Sequence, residues 1–319
     1  MSSDLWIIVF IFSGIGLLYI GAELLVQCGS AVALRLGVPP LIVGLTIAAF
    51  GTSSPELVVS LKAAVAGSDS IALGNVVGSN ITNIGLILGL AAILNPMRIT
   101  LRVIRWDIPL MIAASLVFVA LIRDGELGRV DGGVLTAGLV AYICFVLKTA
   151  RKESSSGNGA VLGMVSHTKP VSRWTGWIGI LAGLGMLAAG AHFFVTGAVM
   201  IARLAGLSEA LIGLTIVAIG TSLPEFATSA LAAVKGEADL AVGNIVGSNL
   251  FNILGILGIA ALITPLKATG MGLVDYSVMT LLAVMLLPLC HSGFRLDRWE
   301  GALMLLVFIG YLGYLIQMM

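Results

Sequence analysis

The sequence predicts an all-α integral membrane protein of ten transmembrane helices, built as two inverted-topology repeats of five, with helices 2, 3, 7 and 8 broken. Three observations carry this expectation. The chain is 59% hydrophobic and only 10% charged, with a mean hydropathy of +1.10, whereas soluble domains carry roughly 25% charged residues. A 44-residue stretch, 51–94, recurs at 220–263 without a gap, and 24 of its 44 aligned pairs are identical at a constant offset of 169. Ten segments reach or approach the length of about 20 apolar residues that a bilayer asks of a helix. The alternation of polar and apolar residues that marks an outer-membrane barrel is absent.

The first span covers 5–26. The residues before it lack a basic region and its apolar run is too long for a signal peptide, so it reads as a membrane helix. The second, 38–66, contains Pro55, and the third, 70–94, contains Gly78. Spans 107–122 and 131–148 are shorter. Residues 151–173 include Glu-Ser-Ser-Ser-Gly-Asn-Gly and form a flexible linker between a first half, 1–150, and a second, 174–319. Spans 175–202, 207–235, 239–263, 274–290 and 300–317 complete the second half. Because five is odd, the halves enter the membrane from opposite sides, which makes the repeat an inverted one. With the N-terminus outside, 12 of the 17 Lys and Arg residues fall on the cytoplasmic side. The positive-inside rule therefore places both termini outside the cytoplasm. Trp174, Trp177 and Trp299 mark membrane edges, where an aromatic belt forms.

The repeat puts one glutamate, Glu56 or Glu225, in the middle of each apolar unit. A carboxylate in hydrocarbon is costly unless it is paired, protonated or bound to a cation, and its recurrence points to a shared ion site. Pro55 has no amide hydrogen and clashes with the carbonyl of Gly51. Carbonyls freed on that turn need protein, water or an ion as partners. Thr52, Ser53 and Glu56 share a helical face, as do Thr221, Ser222 and Glu225 beside Pro224. Freed carbonyls, hydroxyls and a carboxylate make an all-oxygen set suited to hard cations such as Ca²⁺ or Na⁺. From the neighbouring helices, Ser79 and Asn83, four apart, and their mirror pair Ser248 and Asn252 complete the shell. Gly78 and Gly247 permit close helix approach or local unwinding. Interhelical hydrogen bonding is the reading for Asn80 and Asn249.

The paired Gly-Thr-Ser-X-Pro-Glu and Gly-Asn-X-X-Gly-Ser-Asn-X-X-Asn motifs resemble the α-repeats of the sodium/calcium exchanger family, within the wider cation/Ca²⁺ antiporter group. The resemblance implies antiport of one Ca²⁺ against about three Na⁺ by alternating access, with no resident cofactor. It implies that Glu56 and Glu225 bridge Ca²⁺ with help from the backbone carbonyls of Thr52 and Thr221. It further implies sodium ligands at Ala49, Thr52, Ser53, Glu56 and Ser79, mirrored by Ala218, Thr221, Ser222, Glu225 and Ser248, with Asn83 and Asn252 flanking the middle. Many relatives carry aspartate at one of those last two positions. Two asparagines here leave two formal negative charges and argue against potassium co-transport. The linker has no room for a large Ca²⁺-sensing insert. The expected partners are Ca²⁺, Na⁺ and the lipid bilayer, with no nucleic acid, in a prokaryotic plasma membrane.

The alternative within transport is a Ca²⁺/H⁺ exchanger, in which the two glutamates trade a cation for protons. A passive channel would need an open pore. An intramembrane protease would need a nucleophile–base pair or an aspartyl dyad, and the intramembrane acids here are glutamates set among Thr, Ser and Asn. Glu23 and His192 occupy equivalent repeat positions; either could line an ion path, and the preferred reading is a helix-end residue reaching toward the interface. Asp107 and Asp275 open their spans at the headgroup level. Cys28, Cys144 and Cys290 have no metal or redox spacing.

Overall fold

A computed structural model describes residues 3–155, 173–205, 218–268 and 271–318. These fold almost wholly into helices: α1 (Ser3–Leu36), α2 (Pro40–Thr52), α3 (Ser54–Val65), α4 (Asp69–Leu94), α5 (Val103–Asp124) and α6 (Arg129–Ser155) in the first half. The second half holds α7 (Arg173–Leu204), α8 (Ala218–Thr221), α9 (Leu223–Val234), α10 (Ala238–Ile263), α11 (Leu273–His291) and α12 (Arg298–Met318). Among the described residues, 8 helices are long and apolar enough to cross a membrane, or 9 when α2 and α3 count as one bent span. The expected span 207–235 is described only from Ala218 onward, and most of the linker lies outside the described residues.

Sequence sets the breaks. α2 and α3 meet at 45°, where Ser53 leaves helical geometry with φ −81° and ψ 7°. Its repeat mate Ser222 has φ −88° and ψ 6°, so both halves turn at the same place. Pro55 and Pro224 stand in the first turn of α3 and α9, where a missing amide hydrogen costs least. In α4 and α10 the expected breaks are absent. The helices run on, and a π-helical segment follows at Asn83–Leu88 and Phe251–Leu257. One extra residue per turn shifts the helix face without interrupting the backbone bonding, a feature common at functional sites.

α4 and α10 are the centre of the molecule. In their most apolar stretches 78% and 89% of residues are buried, against 22% in α1 and 17% in α12. Close approach to α2 explains part of this burial at Gly247, where a Cβ would come 2.8 Å from the Leu45 carbonyl oxygen and from the Ala49 Cβ. Gly78 shows no such approach among the described residues. α1 and α7 lie against each other along a seam of glycines. A Cβ on Gly183 would stand 2.8 Å from the Gly21 carbonyl oxygen, and one on Gly21 equally close to that of Gly183.

Two pairs of two-residue strands, unforeseen in an all-α reading, stitch the loops of one half to those of the other. β1 (Met97–Arg98) pairs antiparallel with β4 (Arg295–Leu296), and β2 (Glu126–Leu127) with β3 (Leu266–Lys267). The offset of 169 carries β1 onto β3 and β2 onto β4, so the two pairings are reciprocal.

Several boundaries move. α1 runs ten residues beyond its expected end, and within it Gln27 donates to Glu23, which also pairs with Lys235 at the end of α9. Glu23 is thus an inter-helix tether, not a helix-end group, while His192 is exposed. Asp107 is fully buried within its helix and ion-paired with Arg102 at 3.7 Å. Asp275 accepts from the Gly272 amide and the Tyr311 hydroxyl, both at 2.7 Å. α6 extends through Ser155, past the expected end of the first half.

Candidate functional site

The helix breaks build the site. α2 ends at Thr52; in its last turn the Ala49 carbonyl takes the Ser53 amide at 3.0 Å and the Phe50 carbonyl the Ser54 hydroxyl at 2.9 Å, and the turn presents the negative end of the helix dipole. Glu56 lies in the first turn of α3, where the positive helix end favours a carboxylate. Glu225 occupies the same position in α9. Carbonyl ends and carboxylates therefore come together at each break.

The halves then interlock through reciprocal bonds. Ser53 Oγ donates to Glu225 Oε1 at 2.8 Å, and Ser222 Oγ donates to Glu56 Oε1 at 3.2 Å. Ser222 also lies 3.3 Å from the Ser79 hydroxyl, and the Ser248 hydroxyl reaches the Ala49 carbonyl at 3.4 Å. Each carboxylate is held by a serine of the other half. Eleven of the twelve expected site residues, Ala49, Thr52, Ser53, Glu56, Ser79, Asn83, Thr221, Ser222, Glu225, Ser248 and Asn252, are at most 9% exposed. The twelfth, Ala218, begins α8 directly before the second break.

What remains unbonded defines the chemistry. Glu56 Oε2, Glu225 Oε2, Asn83 Oδ1 and Asn252 Oδ1 are buried oxygens with no hydrogen-bond partner. Burying such an acceptor unsatisfied costs about 1–3 kcal/mol, more for a charged group. Four of them, in two repeat-related pairs beside hydroxyls, are open to a cation, to protons on the two carboxylates or to a hydrogen-bond donor. Among the described residues no three His, Cys, Asp or Glu side chains are grouped so that they could hold a metal ion. The set is one of oxygens with two carboxylates, which suits hard cations over soft ones.

Sequence reasoning missed the residues that brace this set. Thr52 Oγ1 donates across the halves to Asn244 Oδ1 at 3.2 Å, and Asn244 Nδ2 donates to Ser229 Oγ at 3.0 Å. In mirror image, Thr221 reaches Asn75 Oδ1 at 3.4 Å, and Asn75 donates to Ser60 at 2.9 Å and to the Glu56 carbonyl at 3.2 Å. All four bracing residues recur identically in the repeat, which is the signal that marked them. Asn80 and Asn249 do make the interhelical bonds expected of them: Asn83 Nδ2 donates to Asn249 Oδ1 at 2.9 Å, and Asn252 Nδ2 to Asn80 Oδ1 at 3.1 Å.

Comparison with known proteins places this geometry in context. The sequence profile described as "Sodium/calcium exchanger protein" matches residues 6–148 and 175–317, one segment in each half. The chain is 38% identical over 307 residues to "Putative antiporter CaxA" of Alkalimonas amylolytica, covering 95% of this chain and 96% of that one. It is 39% identical over 282 residues to "Inner membrane protein YrbG" of Escherichia coli K12, covering 87% and 86%. Among solved structures it superposes on the sodium-calcium exchanger NCX_Mj soaked with zero Na⁺ and Ca²⁺, with a TM-score of 0.85, 30% identity and coverage of 98% and 99%.

Proposed function

The chain belongs to the sodium/calcium exchanger family, a family of membrane cation antiporters and not of enzymes, and from that premise we propose that it exchanges Ca²⁺ for Na⁺ at the site between the two helix breaks. The observation that carries this reading is the quartet of buried, unbonded oxygens on Glu56, Glu225, Asn83 and Asn252. In this reading the two carboxylates neutralise one Ca²⁺, and the carbonyls of Thr52 and Thr221 complete its shell. Sodium ions take the flanking hydroxyls and carbonyls: Ala49, Thr52, Ser53 and Ser79 on one side, Ala218, Thr221, Ser222 and Ser248 on the other.

The architecture that goes with it is ten spans in two inverted repeats, 1–150 and 174–319, joined by the 151–173 linker, with both termini outside the cytoplasm. Alternating access follows if α1 and α7, held as a pair by their glycine seam, slide across the remaining helices. Residence in a bacterial inner membrane accords with the E. coli relative. With about three Na⁺ moved per Ca²⁺, each turnover carries one net positive charge in the sodium direction, on which a membrane potential acts with about 2.3 kcal/mol per 100 mV.

The test is radiolabelled Ca²⁺ uptake into proteoliposomes preloaded with Na⁺. Uptake is expected to require the outward Na⁺ gradient and to fall to background in both Glu56→Gln and Glu225→Gln. Uptake driven by a pH gradient alone and indifferent to Na⁺ would establish proton coupling in its place. Retained Na⁺-driven flux in both variants would defeat the site assignment.

A further inference from the structure

We infer that Asn80 and Asn249 act as positioning residues for cation binding: they fix which end of the Asn83 and Asn252 amides is turned to the ion. An asparagine amide carries a donor end and an acceptor end of nearly the same shape, so only its hydrogen-bond network decides which way it points. Asn83 and Asn252 serve a cation through oxygen alone. Turned the other way, each would offer its NH₂ group and repel the ion.

The four asparagines form a closed arrangement across the two halves. Asn249 Oδ1 takes the proton of Asn83 Nδ2 at 2.9 Å, and Asn80 Oδ1 takes that of Asn252 Nδ2 at 3.1 Å. Asn80 and Asn249 are themselves oriented by the backbone. Asn80 Nδ2 donates to the Asn249 carbonyl at 3.5 Å, and Asn249 Nδ2 to the Asn80 carbonyl at 3.4 Å. Their remaining hydrogens reach thioether sulfurs, Asn80 toward Met279 at 3.9 Å and Asn249 toward Met111 at 3.7 Å. A backbone carbonyl cannot turn over, so each amide of the inner pair is locked with its oxygen outward toward its partner. Flipping Asn83 would bring its oxygen against that of Asn249.

The consequence is the pair of unbonded oxygens, Asn83 Oδ1 and Asn252 Oδ1. Asn83 stands one turn beyond Ser79 on the helix, as Asn252 stands beyond Ser248. All four asparagines are at most 1% exposed, so water does not compete for their hydrogens. The bonding also crosses between halves: the ion ligand of one repeat is set by an amide of the other.

This inference rests on the exchanger reading, and the experiment separates the two. Removing a group that orients a metal ligand typically costs about 10–100-fold in metal affinity. In Na⁺-loaded proteoliposomes, Asn249→Ala is expected to raise KM for Ca²⁺ by about 10-fold or more. The second variant is Asn83→Asp. Its carboxylate presents oxygen at both ends and needs no partner to choose between them, so adding Asn249→Ala to Asn83→Asp is expected to bring no rise in KM, since it removes only an acceptor that faces the carboxylate. If Asn249→Ala does not fold, the mirror set Asn80→Ala, with and without Asn252→Asp, reads the same relation, and Asn249→Asp restores an acceptor for Asn83.

An unchanged KM in Asn249→Ala overturns the inference. An equal penalty from Asn249→Ala with and without Asn83→Asp overturns it too, because a merely structural role would not distinguish the two backgrounds. Loss of fold in both alanine variants that persists with Asn249→Asp also overturns it, assigning these residues to packing. Absence of Na⁺-driven uptake in the wild-type protein would instead refute the exchanger reading itself.

Discussion

Asn244 shows how a side chain outside the proposed ion shell braces one of its members, Thr52. Its amide oxygen accepts from Thr52 of the first half while its nitrogen donates to Ser229 on the preceding helix. Asn244→Leu removes both bonds at a fully buried position. The expected loss is about 1–3 kcal/mol for each polar group left unsatisfied, read as a lower thermal midpoint in detergent. Added Ca²⁺ should recover part of it, since a ligand that binds only the folded state stabilises it by mass action. At this scale the two glutamates were legible in the sequence: a repeated acid in an apolar segment has few explanations. The division of labour among the asparagines was not. Asn75, Asn80 and Asn83 share one residue type on one helix, and only their neighbours decide which atom of each is committed to protein.

Among the helices, the breaks at Ser53 and Ser222 could be read from Pro55 and Pro224, since proline removes a donor at a known place. The full length of α1 could not. Glu23 and Gln27 look like the end of an apolar run, and nothing local announces that Lys235, far along the chain, pairs with Glu23. That ion pair is partly exposed, and such pairs contribute only about 0–1 kcal/mol. Packing is what joins α1 to α7. Gly183→Val would drive its side chain against the Gly21 carbonyl, 2.8 Å from the first added carbon, whereas Gly185 has nothing within 4 Å of that position. The contrast gives a clean measurement. Gly183→Val is expected to abolish a monodisperse species in size-exclusion chromatography, and Gly185→Val on the same helix to preserve it.

For the molecule as a whole, the offset of 169 organises strands, braces, hydroxyls and carboxylates alike. In the proposed exchange each half supplies one ligand set, and two carboxylates would face a changing number of cationic charges, so exchange should respond to voltage. Uptake of Ca²⁺ against about three Na⁺ expels one net positive charge, so an inside-positive potential favours it by about 2.3 kcal/mol per 100 mV. At 1.36 kcal/mol per tenfold, the equilibrium Ca²⁺ accumulation should rise about fifty-fold per 100 mV. Valinomycin with high external K⁺ sets that potential, and accumulation independent of it would signify electroneutral exchange. The duplicated architecture was visible from the repeat alone. The reciprocal strands were not, because two-residue pairings leave no periodic trace.

Those strands have a consequence for biogenesis. Met97 pairs with Leu296 and Glu126 with Lys267, so an early loop finds its mate only after more than a hundred further residues have been made. The first helices must then wait in the lipid as independently inserted segments, and closure of the molecule follows the arrival of residues 266–267 and 295–296.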